Sequence, residues 1–406
     1  MKEIKISKLD KRGLTAVSGY KAAGVACGIK KDKKDLAVIY SEFDAVAAGV
    51  FTCNLVQAAP VYQCKANLEN PIRVVVINSG NANACTGNQG MQDAYAMAAD
   101  SASALGVDPG QAMVCSTGVI GEPMPMDKVQ AGIKLIPHAL SRGIDADINA
   151  AEAILTTDTK VKLSAYSCEM PEGNFHLAGM AKGSGMICPN MATMLAFLVT
   201  DVKIKRPLLQ KLFSEASDRS FNVITVDGDT STNDTALILA NGAAEGIEVT
   251  EDSIYLEPFK EMLEKVCREL ALQIVEDGEG LTKLITLTIK GAVEESGARV
   301  MARSILNSPL VKTAFYGEDA NWGRIIAALG YAGIDFDPSL VDIFIGPYQV
   351  ARDGGAVPFS EEKMKKVLEE RDISVLIDLK IGSAEVTAWG TDLSHEYINI
   401  NADYRS

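Results

Sequence analysis

Short apolar runs separated by glycine-rich polar turns fill the first half of the chain, and longer apolar periodicities appear in the second. Leu36-Ala37-Val38-Ile39-Tyr40 and Val74-Val75-Val76-Ile77 are β-favouring runs bounded by polar residues, the second ending in Asn78-Ser79-Gly80-Asn81, and both predict buried strands. The stretch 91–105 is rich in Ala and Met and free of Pro and Gly, so it predicts a helix. Stretches 126–136 and 145–155 predict two more, the latter delivering the chain to the polar turn Thr156-Thr157-Asp158-Thr159.

Further on, Met194 to Val199 is apolar, 207–220 predicts a helix, and 221–226 predicts a strand running into Asp227-Gly228-Asp229. Between Glu257 and Val275 the residues Phe259, Met262, Leu263, Val266, Leu270 and Ile274 recur at helical spacing, the mark of an amphipathic helix facing a core. It stops at Asp277-Gly278-Glu279-Gly280. Ile285 to Ile289 alternates apolar and polar, as a half-exposed strand does. The region 296–312 is helix-like, and 374–379 with 383–391 predict a hairpin turning at Ile381-Gly382. Strands and helices interleave without a repeat or low-complexity linker, which predicts a layered α/β protein whose two halves share one core.

Composition narrows the function more than the fold. With 47% hydrophobic and 23% charged residues, the 406-residue chain reads as a soluble globular protein. Its formal net charge of -14 argues against a nucleic-acid partner or an anionic membrane, both of which need a basic footprint. Small anionic substrates stay open, because local positive charge meets them. The start carries no apolar signal region and no long apolar run follows, so the expected location is the cytoplasm. The eight cysteines are scattered without a Cys-x-x-Cys pair and predict reduced, mostly buried thiols. Only three histidines occur, none in a metal-ligand spacing, which favours a catalyst whose base is not His and predicts no metal site.

Lys182-Gly183-Ser184-Gly185 leads to Pro189-Asn190-Met191-Ala192-Thr193-Met194-Leu195, placing a small-residue/Thr bond behind a glycine-rich, lysine-bearing approach. A Thr within a chain lacks a base for its hydroxyl, whereas a Thr at a new N-terminus carries an α-amine with a pKa of about 8. Cleavage between Ala192 and Thr193 therefore creates a nucleophile with its base attached. The competing reading makes Thr193 the start of a buried strand or helix. Ser116-Thr117-Gly118 follows an apolar run and has the form of a strand end turning sharply, where the Gly118 amide and Thr117 hydroxyl are available donors. Lys182 suits a carboxylate, Thr156 adds a neutral donor, and Glu279 between two glycines suits an ammonium; a surface lysine in a turn and a solvated loop carboxylate are the plainer alternatives. The run Lys182-Gly183-Ser184-Gly185 lacks the order of a phosphate-binding P-loop, and Asp227, Asp229 and Asp234 lack the spacing of a calcium loop.

From Ala22 to Ser406 the chain resembles the bacterial ornithine acetyltransferase family of arginine biosynthesis. The resemblance is carried by Ala22-Ala23-Gly24-Val25-Ala26, Gly49-Val50-Phe51-Thr52, Asn78-Ser79-Gly80-Asn81-Ala82-Asn83-Ala84-Cys85-Thr86-Gly87, Ser116-Thr117-Gly118-Val119-Ile120-Gly121 and Thr156-Thr157-Asp158-Thr159. It continues through Ala181-Lys182-Gly183-Ser184-Gly185-Met186, Pro189 to Leu195, Val226-Asp227-Gly228-Asp229-Thr230-Ser231-Thr232-Asn233-Asp234, Gly278-Glu279-Gly280, Gly317-Glu318-Asp319 and Asn399-Ile400-Asn401-Ala402-Asp403-Tyr404. The resemblance implies a self-cleaving N-terminal-nucleophile-like α/β fold of the ornithine acetyltransferase and DmpA type. It implies an alpha chain of residues 1–192 and a beta chain of 193–406, assembled as two of each. The implied reaction moves acetyl from N-acetylornithine to glutamate through Thr193, with Thr117 and Gly118 as the oxyanion hole. Thr156, Lys182, Thr193, Glu279, Asn401 and Ser406 match the substrate-contacting positions, so the C-terminal tail is expected to close over the site. No cofactor is implied, and acetyl-CoA is left open as a co-substrate.

Two other functions compete with this one. A self-processing amidohydrolase or aminopeptidase keeps the same nucleophile but needs no glutamate, and a non-catalytic amino-acid-binding protein stays one intact chain. The sequence departs from the family pattern at Cys188, at Leu281 after Gly280 and at Tyr316 before Gly317, none of them a position with an implied catalytic role.

Overall fold

The apolar runs of the first half become neighbours in one large sheet. The computed structural model describes residues 4–188 and 194–403. The chain forms two compact units, the first from 1–183, 190–221 and 230–274, the second from 184–189, 222–229 and 275–406. Each unit thus takes segments from both sides of residues 192 and 193.

The first unit holds a nine-stranded mixed sheet. Its order runs Lys5–Lys8, Lys162–Met170, Gly173–Lys182, Leu195–Thr200, Thr235–Ala240, Leu36–Phe51, Ile72–Asn81 and Ala112–Val119, with Tyr20–Val25 also paired to Leu36–Phe51. Leu195–Thr200 is buried at every position and pairs antiparallel with Gly173–Lys182 and parallel with Thr235–Ala240. A strand covered on both faces has no use for polar alternation, which is why Met194 to Val199 reads as a continuous apolar run. The helix Leu256–Glu276 follows the predicted span, and its six periodic apolar residues are all buried. It packs close: a Cβ added at Gly179 would stand 2.8 Å from Leu270 Cδ1. The helices Gly87–Leu105, Met126–Ala139 and Ile144–Ala153 appear where the sequence predicts them. Met97, Val129 and Ile133 of the first two share a core cluster with Val74, Val76 and Val114.

The second unit is a seven-stranded sheet ordered Ile224–Thr225, Ala384–Thr391, Leu284–Ala292, Asp372–Asp378, Asp342–Ile345, Tyr348–Arg352 and Gly355–Ala356. The layered α/β class expected from the sequence is the one observed.

Several local expectations are corrected. The strands Ile72–Asn81 and Ala112–Val119 run through the polar residues thought to end them, because they pair in parallel from Val74↔Ala112 to Gly80↔Gly118. Residues 374–391 do not form a hairpin, since Leu284–Ala292 lies between the two strands, parallel to one and antiparallel to the other. Their connection bridges its end through Leu379 and Ile381 amides donated to the Lys290 and Gly291 carbonyls. The stretch 221–226 holds a 3-10 turn, Phe221–Val223, and a strand of only two residues, Ile224–Thr225. The region 296–312 is two helices, Glu295–Leu306 and Pro309–Tyr316, because Pro309 cannot donate within a continuing helix and Ser308 caps the second one instead. The periodicity does not announce the hairpin of Lys162–Met170 and Gly173–Lys182 at all. All eight cysteines are free thiols, five of them buried. Among the described residues no helix is long and apolar enough to cross a membrane.

Candidate active site

In the first unit, the end of Ala112–Val119 is shaped by two glycines. Gly118 has φ +132°, and a Cβ there would lie 2.4 Å from the Gly80 carbonyl carbon of the neighbouring strand. Only glycine allows this kinked approach, which leaves Thr117 and Gly118 half-buried at the sheet end. Ser116 is held beneath them, donating its hydroxyl to Asn78 Oδ1 at 2.5 Å. Asn233 Nδ2 donates to the Ser116 carbonyl at 2.8 Å and to the Ala82 carbonyl at 2.5 Å, tying this end of the sheet to the run before Thr235.

Lys182 is not the surface lysine of a turn. It is the last residue of Gly173–Lys182, 6% exposed, and its Nζ donates to Thr117 Oγ1 at 3.3 Å. Asp158 sits beside it with a fully buried side chain. Its Oδ1 accepts from the Gly183 amide at 2.6 Å and from Lys162 Nζ at 2.7 Å, and its Oδ2 accepts from the Thr156 amide at 3.1 Å. Burial alone raises the Asp158 pKa, but the charges of Lys182 and Lys162 and the Gly183 amide outweigh it and hold the carboxyl down at about 2. Lys30 completes the surroundings, its Nζ donating to the Leu155 carbonyl at 2.8 Å. Its pKa is lowered, mainly by burial, with the like charge of Lys182 adding to the shift and Asp158 opposing it. A chain with an acidic balance thus places Lys182 and Lys162 against the Asp158 carboxylate, with Lys30 nearby under the opposing charges of Asp35 and Asp158.

Asp234 is in the same unit, 3% exposed, with Oδ2 buried and unpartnered. Burial drives its pKa well above the usual carboxylate range, against the Met194 amide and the Lys182 charge. Asp227 and Asp229 belong to the second unit. Among the described residues no group of His, Cys, Asp and Glu is placed to hold a metal ion.

The second unit assembles Glu279, Asn401 and the start of the glycine-rich approach. The Glu279 amide donates to the Ser184 carbonyl at 2.9 Å, and its side chain, in a residue 8% exposed, fills the place a Cβ on Gly185 would take, at 2.3 Å. The glycine at 185 is therefore room for a carboxylate. Asn401, in the helix His395–Ala402, donates from Nδ2 to Glu279 Oε2 at 2.8 Å. That helix is capped by Ser394, whose hydroxyl also donates to the Gly280 carbonyl at 2.6 Å.

Asp227 braces the segment that leads toward residue 189. Its carboxylate accepts from the Met186 and Ile187 amides at 2.6 and 2.8 Å and from the Tyr397 hydroxyl at 3.2 Å, and burial raises its pKa. Buried Lys312 holds the turn from behind, donating to the Val226 carbonyl at 2.7 Å and the Thr391 carbonyl at 2.5 Å.

Of the residues named from the sequence, Thr117, Gly118, Thr156 and Lys182 come together in the first unit and Glu279 with Asn401 in the second. Ala192, Thr193 and Ser406 lie outside the described residues. Sequence reasoning did not find Asp158, Lys162 or Lys30 as parts of the site. The polar turn Thr156 to Thr159 was the one signal present, and it carries no mark of burial. His176 and His395 are engaged elsewhere, bonded to Asp201 and Tyr316.

A sequence profile of the ArgJ family matches residues 21–406. The chain belongs to the ArgJ family. Two ArgJ relatives bear the name arginine biosynthesis bifunctional protein ArgJ. The one from Symbiobacterium thermophilum is 50% identical over 398 residues, covering 97% of this chain and 98% of its own length. The one from Bacillus subtilis is 45% identical over 395 residues, covering 97% of this chain and 96% of its own. A crystal structure of ornithine acetyltransferase complexed with ornithine, from Mycobacterium tuberculosis, is similar at 41% identity and a TM-score of 0.43, spanning 46% of this chain and 99% of that one. Membership of an enzyme family of arginine biosynthesis, expected from the ordered motifs, is borne out at ArgJ level.

Proposed function

We propose that this chain is a self-processing acetyltransferase that moves acetyl from N-acetylornithine to glutamate by a ping-pong route. The observation that carries the reading is the pairing of Lys182 Nζ with Thr117 Oγ1 at 3.3 Å, which puts an ammonium at the end of a strand whose Gly118 backbone is held open. A carboxylate substrate and a developing oxyanion need such neighbouring donors.

Cleavage of the Ala192 to Thr193 bond frees the Thr193 amine. That amine takes the proton from Thr193 Oγ as the oxygen attacks the acetyl carbonyl carbon of N-acetylornithine. Gly118 and Thr117 donate to the oxyanion of the tetrahedral intermediate. The carbon to nitrogen bond then breaks, the proton goes to the departing amine, ornithine leaves, and Thr193 keeps the acetyl group as an ester. The amine of glutamate attacks that ester, N-acetylglutamate forms, and the Thr193 hydroxyl is restored. Lys182 and Thr156 hold the substrate carboxylate. Glu279 meets the ammonium, with Asn401 and Ser406 contributed by the C-terminal segment. Exclusion of water favours transfer over hydrolysis. The same ester formed from acetyl-CoA makes N-acetylglutamate without ornithine, the second activity that a bifunctional relative's name suggests. The working form is a cytoplasmic assembly of two alpha chains, 1–192, and two beta chains, 193–406, and no cofactor takes part.

Intact mass under denaturing conditions tests the core of this proposal. Wild type should yield fragments 1–192 and 193–406 with Thr at the new N-terminus, and Thr193→Ala a single chain. An uncut and active wild type overturns it. Acetate release from N-acetylornithine that proceeds equally well without glutamate reassigns the enzyme as an amidohydrolase.

A further inference from the structure

We propose that Asp158 is the positioning residue of the substrate-carboxylate site, fixing the Lys182 to Gly183 strand end and the Thr156 backbone together and so setting where the Lys182 ammonium stands beside Thr117. This rests on the acetyltransferase reading above, and it names a side chain to which that reading gives no role.

The two oxygens of Asp158 divide their work. Oδ1 takes the Gly183 amide at 2.6 Å, the first backbone donor beyond the Gly173–Lys182 strand. Oδ2 takes the Thr156 amide at 3.1 Å. One carboxylate therefore joins two segments 26 residues apart, and each carries a side chain assigned to the substrate. Lys162, 1% exposed, supplies the internal counter-charge at 2.7 Å. The Lys182 ammonium beside Thr117 Oγ1 brings positive charge to the strand end where the substrate carboxylate is proposed to bind. Remove the Asp158 charge and the Lys182 and Lys162 ammonium groups lose the carboxylate whose pKa they both lower. Lys182 then withdraws from Thr117, and both the carboxylate contact and the oxyanion donors lose their placement.

A merely structural carboxylate would lower stability and leave substrate affinity alone. A double-mutant cycle separates the two roles: wild type, Asp158→Asn, Lys182→Met and the double variant, each confirmed by intact mass as fully processed. Asp158→Asn should raise KM for N-acetylornithine about 10-fold or more, and in the Lys182→Met background it should add less than about 3-fold. A wild-type KM for Asp158→Asn, or effects that multiply in the double variant, overturns the proposal. Should Asp158→Asn alone fail to fold, the cycle is run in a Lys162→Met background, where the Lys162 ammonium is no longer left buried without its carboxylate. Ornithine binding by calorimetry follows the same cycle without turnover. A wild type that binds ornithine with a coupled Asp158 and Lys182 but transfers no acetyl therefore sinks the acetyltransferase reading and leaves this one standing.

Discussion

Asn401 donates to Glu279 Oε2 at 2.8 Å, so a helix near the C-terminal end of the chain is fastened to a carboxylate that lies between two glycines 122 residues earlier. The helix approaches closely enough that a Cβ on Gly280, which has φ +67°, would lie 2.4 Å from the Tyr397 nitrogen.

From this pair, Glu279→Gln is expected to raise KM for N-acetylornithine by about 10-fold or more, the loss of one charge-assisted contact to an ammonium. Asn401→Ala is expected to act in the same direction and more weakly, because it loosens Glu279 without removing its charge. Steady-state kinetics of both variants check this, and an unchanged KM for Glu279→Gln removes Glu279 from substrate binding.

Gly118→Ala meets both an unfavourable φ and the Gly80 backbone. Gly121→Ala meets an unfavourable φ alone, since φ is +85° there and nothing stands within 4 Å of its Cβ. Gly121→Ala should cost about 1 kcal/mol and Gly118→Ala about 2 kcal/mol or more, with acetyl transfer lost only in the latter. Urea unfolding of the two variants beside wild type gives the comparison.

Lys312 makes stability depend on alkaline pH. Burial lowers its pKa from the usual 10.5 to about 8, with Asp392 and Asp227 opposing the shift. Between these values the unfolded chain holds a proton that the folded chain has released. Its contribution is therefore complete above the unfolded pKa and lost as pH falls through about 8. Measured as wild type minus Lys312→Met, stability should rise by on the order of 2 kcal/mol between pH 8 and 9.5. A flat or falling difference contradicts the assignment.

The legible parts of the sequence were those whose signal is local. Helical spacing from Phe259 to Ile274 marks one continuous element packed on one face, and the structure keeps it from Leu256 to Glu276. Strand partners are not a local property. Nothing within 374–391 says that Leu284–Ala292, some 80 residues earlier, comes between its two strands. The site divides in the same way. Thr117, Gly118, Lys182 and Glu279 were legible as chemical types in ordered motifs. Asp158 was not, because what makes it matter is a buried side chain meeting Lys162, Gly183 and Thr156 at once. Gly185 is one member of a glycine-rich run in the sequence and proves to be clearance for Glu279.

Leu195–Thr200 has a neighbour on each edge, one strand from before residue 192 and one from after it. The proposed break between Ala192 and Thr193 would therefore leave the fragments paired at six positions on one side of that strand. Synthesised apart, fragment 1–192 would present a bare inner edge along Gly173–Lys182, a template for unwanted pairing. On the self-processing route proposed above, folding as a single chain would precede scission, and the mature enzyme would be a nicked object that its own two pieces have no ready route to rebuild.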